Sequence, residues 1–222
     1  MPQISTQNLG ALPEVDRLMF LLQSLATLDA IMSPDEWDAR YYSFNSKWAQ
    51  TEQMGSMRNG CGDEFFALFN PAGCFIKGFA HKYPMTPYRS KPPQVWPGML
   101  DGVPDDFSSG LNEPAFSMND VTFCIWRRYA DSSWCHGSIE FPDGNDPDGS
   151  QYLLTILDGE PTTYCQFVED YFETTAPIES VRHIYKHLTL TDEIVASLNG
   201  NATLKSVADD LAEIGYPNQS AT

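Results

Sequence analysis

Residues 64–79 read EFFALFNPAGCFIKGF, two apolar runs, EFFALF (64–69) and CFIKGF (74–79), on either side of Asn70-Pro71-Ala72-Gly73. Asn, Pro and Gly stand at the first, second and fourth positions of that tetrapeptide, where a type I β-turn prefers them. The stretch therefore predicts a β-hairpin, and with it an antiparallel sheet. Downstream, VTFCIWRRY (121–129) and WCHGSIEF (134–141), joined by ADSS, read as a second hairpin. YLLTIL (152–157) is one further short apolar run, read as a strand. Asp-Gly dipeptides at 101–102, 143–144, 148–149 and 158–159 punctuate this half, and Asp-Gly is a strong turn signal. Between the hairpins, AHKYPMTPYRSKPPQVWPGM (80–99) carries five prolines and reads as a long irregular connection.

Helical periodicity flanks these strands. Val15, Leu18, Met19, Leu22 and Leu25 recur at helical spacing. SPDEW (33–37) offers a serine cap, a proline at the first helical position and a glutamate three residues after the serine, which predicts a second helix. Tyr164, Phe167, Val168, Tyr171 and Phe172 form one apolar helical face, and Ile178, Val181, Ile184, Tyr185 and Leu188 another. Shorter helices are expected near 191–199 and over 203–214, with Gly215 as a stop. Helices, then strands, then helices indicate an α+β fold. The expected architecture is an antiparallel sheet of about four to six strands, with N-terminal helices and a C-terminal helical segment. Residues 1–222 are read as one domain, with 178–222 a helical appendage packed on it.

The formal net charge is −17, and it is unevenly spread. Residues 1–100 hold 8 basic and 9 acidic side chains, whereas 101–222 hold 5 and 21. Within 101–173 only Arg127 and Arg128 oppose 15 acids. Such one-sided acidity repels phosphate backbones and anionic membranes and attracts basic partners or cations. Nucleic-acid and membrane binding are disfavoured, and a basic protein partner fits. Five cysteines without a C-x-x-C pair argue for a reducing compartment. The N-terminus lacks a basic start and an apolar run, so a cytoplasmic location is expected.

The acidic loop FPDGNDPDGS (141–150) invites a test as a calcium loop. Neither alignment of its aspartates and glycines satisfies the EF-hand positions. A turn and an acidic contact surface come first, and an irregular metal site on Asp143, Asp146 and Asp148 is the third reading. Glu140, Asp143, Asp146 and Asp148, with Trp134, His81 and Tyr88, are the expected partner-binding residues. The proline-rich loop supplies His81 and Tyr88; its aromatic residues could equally pin it to the core. Glu179, His183 and His187 are spaced to share a helix face, yet the sequence HIYKH has Ile where a zinc-protease helix needs Glu, so a surface Glu–His pair is expected. Cys61, between glycines, is expected to be exposed. Cys135 and His136 are adjacent on a strand and point to opposite faces. Cys124 and Cys165 fall in apolar patterns and are read as core. No glycine-rich phosphate loop, nucleophile elbow or dinucleotide fingerprint is present in the sequence, and no cofactor is expected.

The run LLTILDGEPTTYCQFVEDYFE (153–173), with the hairpin DEFFALFNPAGCFIKGF (63–79), resembles the later part of the SUKH superfamily. That resemblance implies an α+β fold and, as for many bacterial members, an immunity protein that binds and neutralises a toxin. The helices after residue 178 and the proline-rich insertion lie outside it, and it implies no particular site residues. The functional expectation is a non-catalytic acidic protein engaging a basic partner through its second half. The alternative is a metal-assisted hydrolase using the Asp cluster with His136 or His81.

Overall fold

The computed structural model describes residues 3–217. Six strands form one antiparallel sheet in sequence order: β1 (Tyr42–Ala49), β2 (Glu52–Arg58), β3 (Glu64–Asn70), β4 (Gly73–Phe79), β5 (Phe123–Arg128) and β6 (Cys135–His136). The predicted hairpin is β3–β4. Asn70 and Gly73 pair across a two-residue turn, and Asn70 Oδ1 accepts the N–H groups of Ala72 and Gly73. The helices are α1 (Val15–Met32), α2 (Ser108–Asn112), α3 (Ser150–Leu154), α4 (Pro161–Tyr171), α5 (Ile178–Tyr185), α6 (Asp192–Leu198) and α7 (Ala208–Ile214). The fold is α+β. Among the described residues no helix is long and apolar enough to cross a membrane.

Side chains alternate across the pleated strands, so the sheet needs cover on both faces. Tyr42, Phe44, Phe65, Ala67, Phe69, Ile76, Phe123 and Ile125 pack with the helices. Central to that layer is α1, which approaches β2 closely because Gly55 has no side chain: a Cβ there would lie 3.0 Å from Leu22 Cδ1. Residues 178–217 share this core through Val181, Ile184, Val195, Leu198, Leu211 and Ile214.

Phe66, Leu68, Phe75, Cys124 and Trp126 form the opposite face. The irregular segment between β4 and β5 covers it with buried Met85, Met99, Phe107, Phe116 and Val121. Methionine and phenylalanine, not tyrosine, therefore pin that segment. Tyr88 is exposed, and half-buried Trp96 carries the Arg89 guanidinium 4.5 Å from its ring centroid.

Three local expectations are corrected. SPDEW forms no helix; a single 3-10 turn, Trp37–Ala39, precedes β1. Arg40 reaches back to the carbonyls of Ser33 and Pro34, at 2.9 Å each, and folds the chain into the sheet. YLLTIL is not a strand but α3 followed by a 3-10 turn, because Leu153, Leu154, Ile156 and Leu157 are buried together at helical spacing. In WCHGSIEF only Cys135 and His136 pair with β5. The chain then turns onto the proline-rich layer, where Trp96 Nε1 donates to the Glu140 carbonyl at 3.1 Å.

Candidate functional site

The acidic loop resolves into two capping carboxylates and a free one. Asp146 accepts the N–H groups of Gln151 and Tyr152, each at 3.0 Å, at the start of α3. Asp148 is buried; it accepts from Ser150 N–H at 2.9 Å and from the Thr6 hydroxyl at 2.5 Å. Burial raises the Asp148 carboxyl above the ordinary range, against the bonds from Thr6 and Ser150. Asp143 is exposed. The three aspartates thus serve different partners and share no centre. Among the described residues, no three His, Cys, Asp or Glu side chains come together to hold a metal ion.

The other expected contact residues also separate. Trp134 is buried and donates its indole N–H to the Pro13 carbonyl at 2.8 Å, so it belongs to the core beside α1. Asp148 and Trp134 are accordingly withdrawn from any contact surface, because neither is accessible. Glu140 is exposed. Tyr88 is exposed with its hydroxyl on Asp120 at 2.8 Å. The expected Glu179–His183–His187 face does not form, because α5 ends at Tyr185 and His187 has a φ of 51°. Glu179 pairs with Arg182 instead, while His183 and His187 donate to the carbonyls of Thr189 and Phe20.

His81 has a defined setting. In the β2–β3 loop, Asn59 Oδ1 accepts the N–H groups of Cys61 and Asp63, and Asn59 Nδ2 donates to Asp63 Oδ2 at 2.8 Å. Asp63 Oδ1 then takes both the backbone N–H of His81, at 2.9 Å, and its Nδ1, at 2.6 Å. Partial burial pushes the Asp63 carboxyl up, but the bonds from His81 and Asn59 together hold it below the ordinary range. Cys61 is exposed.

Beside this loop lies a concavity of about 440 Å³ between β1, α3 and α4. Tyr41, Tyr152, Phe167 and Tyr171 form its aromatic wall. The Tyr41 and Tyr171 rings lie 4.3 Å apart, centroid to centroid, and Phe167 lies 5.1 Å from Tyr41. Tyr171 donates its hydroxyl to the Ala39 carbonyl at 2.8 Å, which locks α4 to the entry of β1. Tyr152 stacks on Tyr83 at 6.0 Å and is half exposed. Asp146, by capping α3, fixes the segment that presents Tyr152. Burial, then the neighbouring Tyr152 and Tyr171, push the Tyr41 phenol up to about 12, so it stays protonated and can donate. Among the described residues, the one charged residue in the lining is Asp170, and no Lys, Arg or His lines the concavity.

Several cations elsewhere are matched. Arg127 pairs with Glu14 at 2.7 Å, Arg128 with Asp131 at 2.9 Å, Arg40 with Asp210 at 2.6 Å and Lys77 with Glu64 at 2.8 Å. Both arginines of the acidic stretch are thereby neutralised, which leaves its remaining carboxylates in excess.

Of the expected residues, the structure brings His81 and Asp146 to this region and leaves Glu140, Asp143 and Tyr88 elsewhere on the surface. The tyrosine wall was missed. Its one sequence signal is Tyr171, placed on the apolar face of α4 but exposed in the fold, where only Tyr164 and Val168 of that helix are buried. Compared with family models, curated proteins and solved structures, the chain finds no match.

Proposed function

We propose that this is a non-catalytic binding protein that engages a basic protein partner, with the tyrosine-walled concavity at the centre of the contact. The observation that carries the reading is a solvent-open aromatic wall whose lining, among the described residues, holds one carboxylate and no cation, in a chain of net charge −17. Tyrosine supplies large contact area at low conformational cost, and a cationic side chain laid on its face gains a further attraction. Excess carboxylates around such a centre mainly speed and select the encounter. An immunity-like role, as the SUKH resemblance implies, fits this arrangement with a toxin as the basic partner. The hydrolase alternative draws no support from the Asp cluster, because Asp146 and Asp148 are occupied as caps.

The test begins with salt-sensitive capture from the native cells, followed by association kinetics with the purified partner. Tyr152→Ala and Tyr171→Ala should accelerate dissociation, while Asp170→Lys should slow association and flatten its salt dependence. If the partner is acidic, or if all three variants bind as wild type does, the reading is wrong.

A further inference from the structure

A second concavity, of about 440 Å³, opens between α1 and α5 and has the opposite character. Arg17 from α1 and Arg182 and Lys186 from the end of α5 line it, with Phe20, Pro161 and Tyr185. Three of the chain's 13 Lys and Arg residues therefore converge on one hollow in a protein with 30 Asp and Glu. Arg17 crosses toward the loop after α3: an atom at the Cβ position of Gly159 would lie 3.5 Å from its Nη2. Among the described residues Arg17 and Lys186 form no salt bridge, and Arg182 pairs with exposed Glu179. The helix dipole accounts for cations at the end of α5. It does not account for Arg17 arriving from another helix.

The second observation is the apolar wall beside these cations: Phe20 and Pro161 are half-exposed in the lining, and Tyr185 completes it with its ring, its hydroxyl being buried away from solvent. A hollow with three cations on one side and an apolar wall on the other has a definite complement.

We propose that the α1–α5 concavity binds an oxyanion carried on an apolar body. The oxyanion is held by Arg17, Arg182 and Lys186, while the apolar body lies on Phe20 and Pro161. Carboxylate and phosphate share this chemistry, and the hollow is separate from the tyrosine wall.

Phenyl phosphate, benzoate, inorganic phosphate and benzyl alcohol are titrated into the full chain, with amide shifts followed by NMR. Phenyl phosphate or benzoate should shift residues of α1 and α5, and the tighter of the two identifies the headgroup class. Inorganic phosphate and benzyl alcohol should each bind at least about ten-fold more weakly, each lacking one half of the complement. The double variant Arg17→Gln/Lys186→Gln should weaken the preferred probe about ten-fold or more. The proposal is overturned if neither aryl anion shifts α1 and α5, if benzyl alcohol binds equally well, or if Arg17→Gln/Lys186→Gln leaves binding of the preferred probe unchanged.

Discussion

The buried carboxylate of Asp29 accepts the Tyr164 hydroxyl at 2.8 Å through one oxygen and the N–H groups of Tyr41 and Tyr42, each at 2.9 Å, through the other. One side chain of α1 thus ties α4 to the entry of β1, directly behind the tyrosine wall. Burial raises its pKa from 3.8 to about 7, against the pull of those bonds and of Arg40. The folded state then holds a proton that the unfolded chain releases at lower pH, so the Asp29 contribution falls as pH rises from about 4 to about 7 and levels off above. Relative to Asp29→Asn, the wild type should lose about 2–4 kcal/mol between pH 5 and pH 8. Urea unfolding of both proteins across that range checks it; parallel stability curves would mean Asp29 does not titrate there.

Lys77 is fully buried on β4, with its ammonium 2.8 Å from Glu64 Oε1 and 5.5 and 5.7 Å from the Phe66 and Phe79 ring centroids. Burial lowers its pKa, and Glu64 restores part of it. Removing one partner of such a pair strands the other, whereas replacing the cation by an apolar group of similar volume does not. Glu64→Ala should cost about 3 kcal/mol and Lys77→Met under about 1 kcal/mol. Equal losses in denaturant titration would show that the ammonium contributes more than packing.

Gly78 pairs with Phe123 between β4 and β5, and a Cβ on Gly78 would fall 2.0 Å from Phe123 Cζ. The ring lies where the glycine leaves room. Gly78→Ala should destabilise by about 3 kcal/mol, since a packed core absorbs an added methyl poorly. Phe123→Leu should recover part of that loss in the double variant. Strict additivity of the two changes in thermal unfolding would rule out the contact as the cause.

The three aspartates of the acidic loop should differ sharply. Asp143→Ala, at an exposed position, should change stability by less than about 0.5 kcal/mol. Asp146→Ala removes the cap of α3 and should cost about 1 kcal/mol. Asp148→Ala strands the Ser150 N–H and leaves the Thr6 hydroxyl only Ser150 Oγ at 3.2 Å, and should cost about 2 kcal/mol, with faster hydrogen exchange at Thr6, whose N–H bonds to Ser150 Oγ. A uniform effect across the series would mean the loop acts by charge alone.

Elements governed by neighbours along the chain were legible. The Asn-Pro-Ala-Gly turn set β3–β4, and the apolar spacing of 13–28 and 164–172 placed α1 and α4. SPDEW (33–37) forms no helix because its cap signal competes with contacts made from afar: Arg40 on the carbonyls of Ser33 and Pro34, and Asp29 on Tyr41 and Tyr42. The apolar run at 152–157 was equally ambiguous, since a short hydrophobic segment suits a strand or a buried helix until its caps are known.

By itself, then, the sequence determined the α+β class, the central hairpin, most helices and the acidic imbalance, because turn chemistry, periodicity and charge are local or additive properties. Only the tertiary structure decided which carboxylates face solvent and which are sealed as caps. It alone assembled Tyr41, Tyr152 and Tyr171 into one wall and Arg17, Arg182 and Lys186 around one hollow. Those groupings join residues more than 100 positions apart in the chain, and spacing within a segment carries no record of which segments packing will bring together.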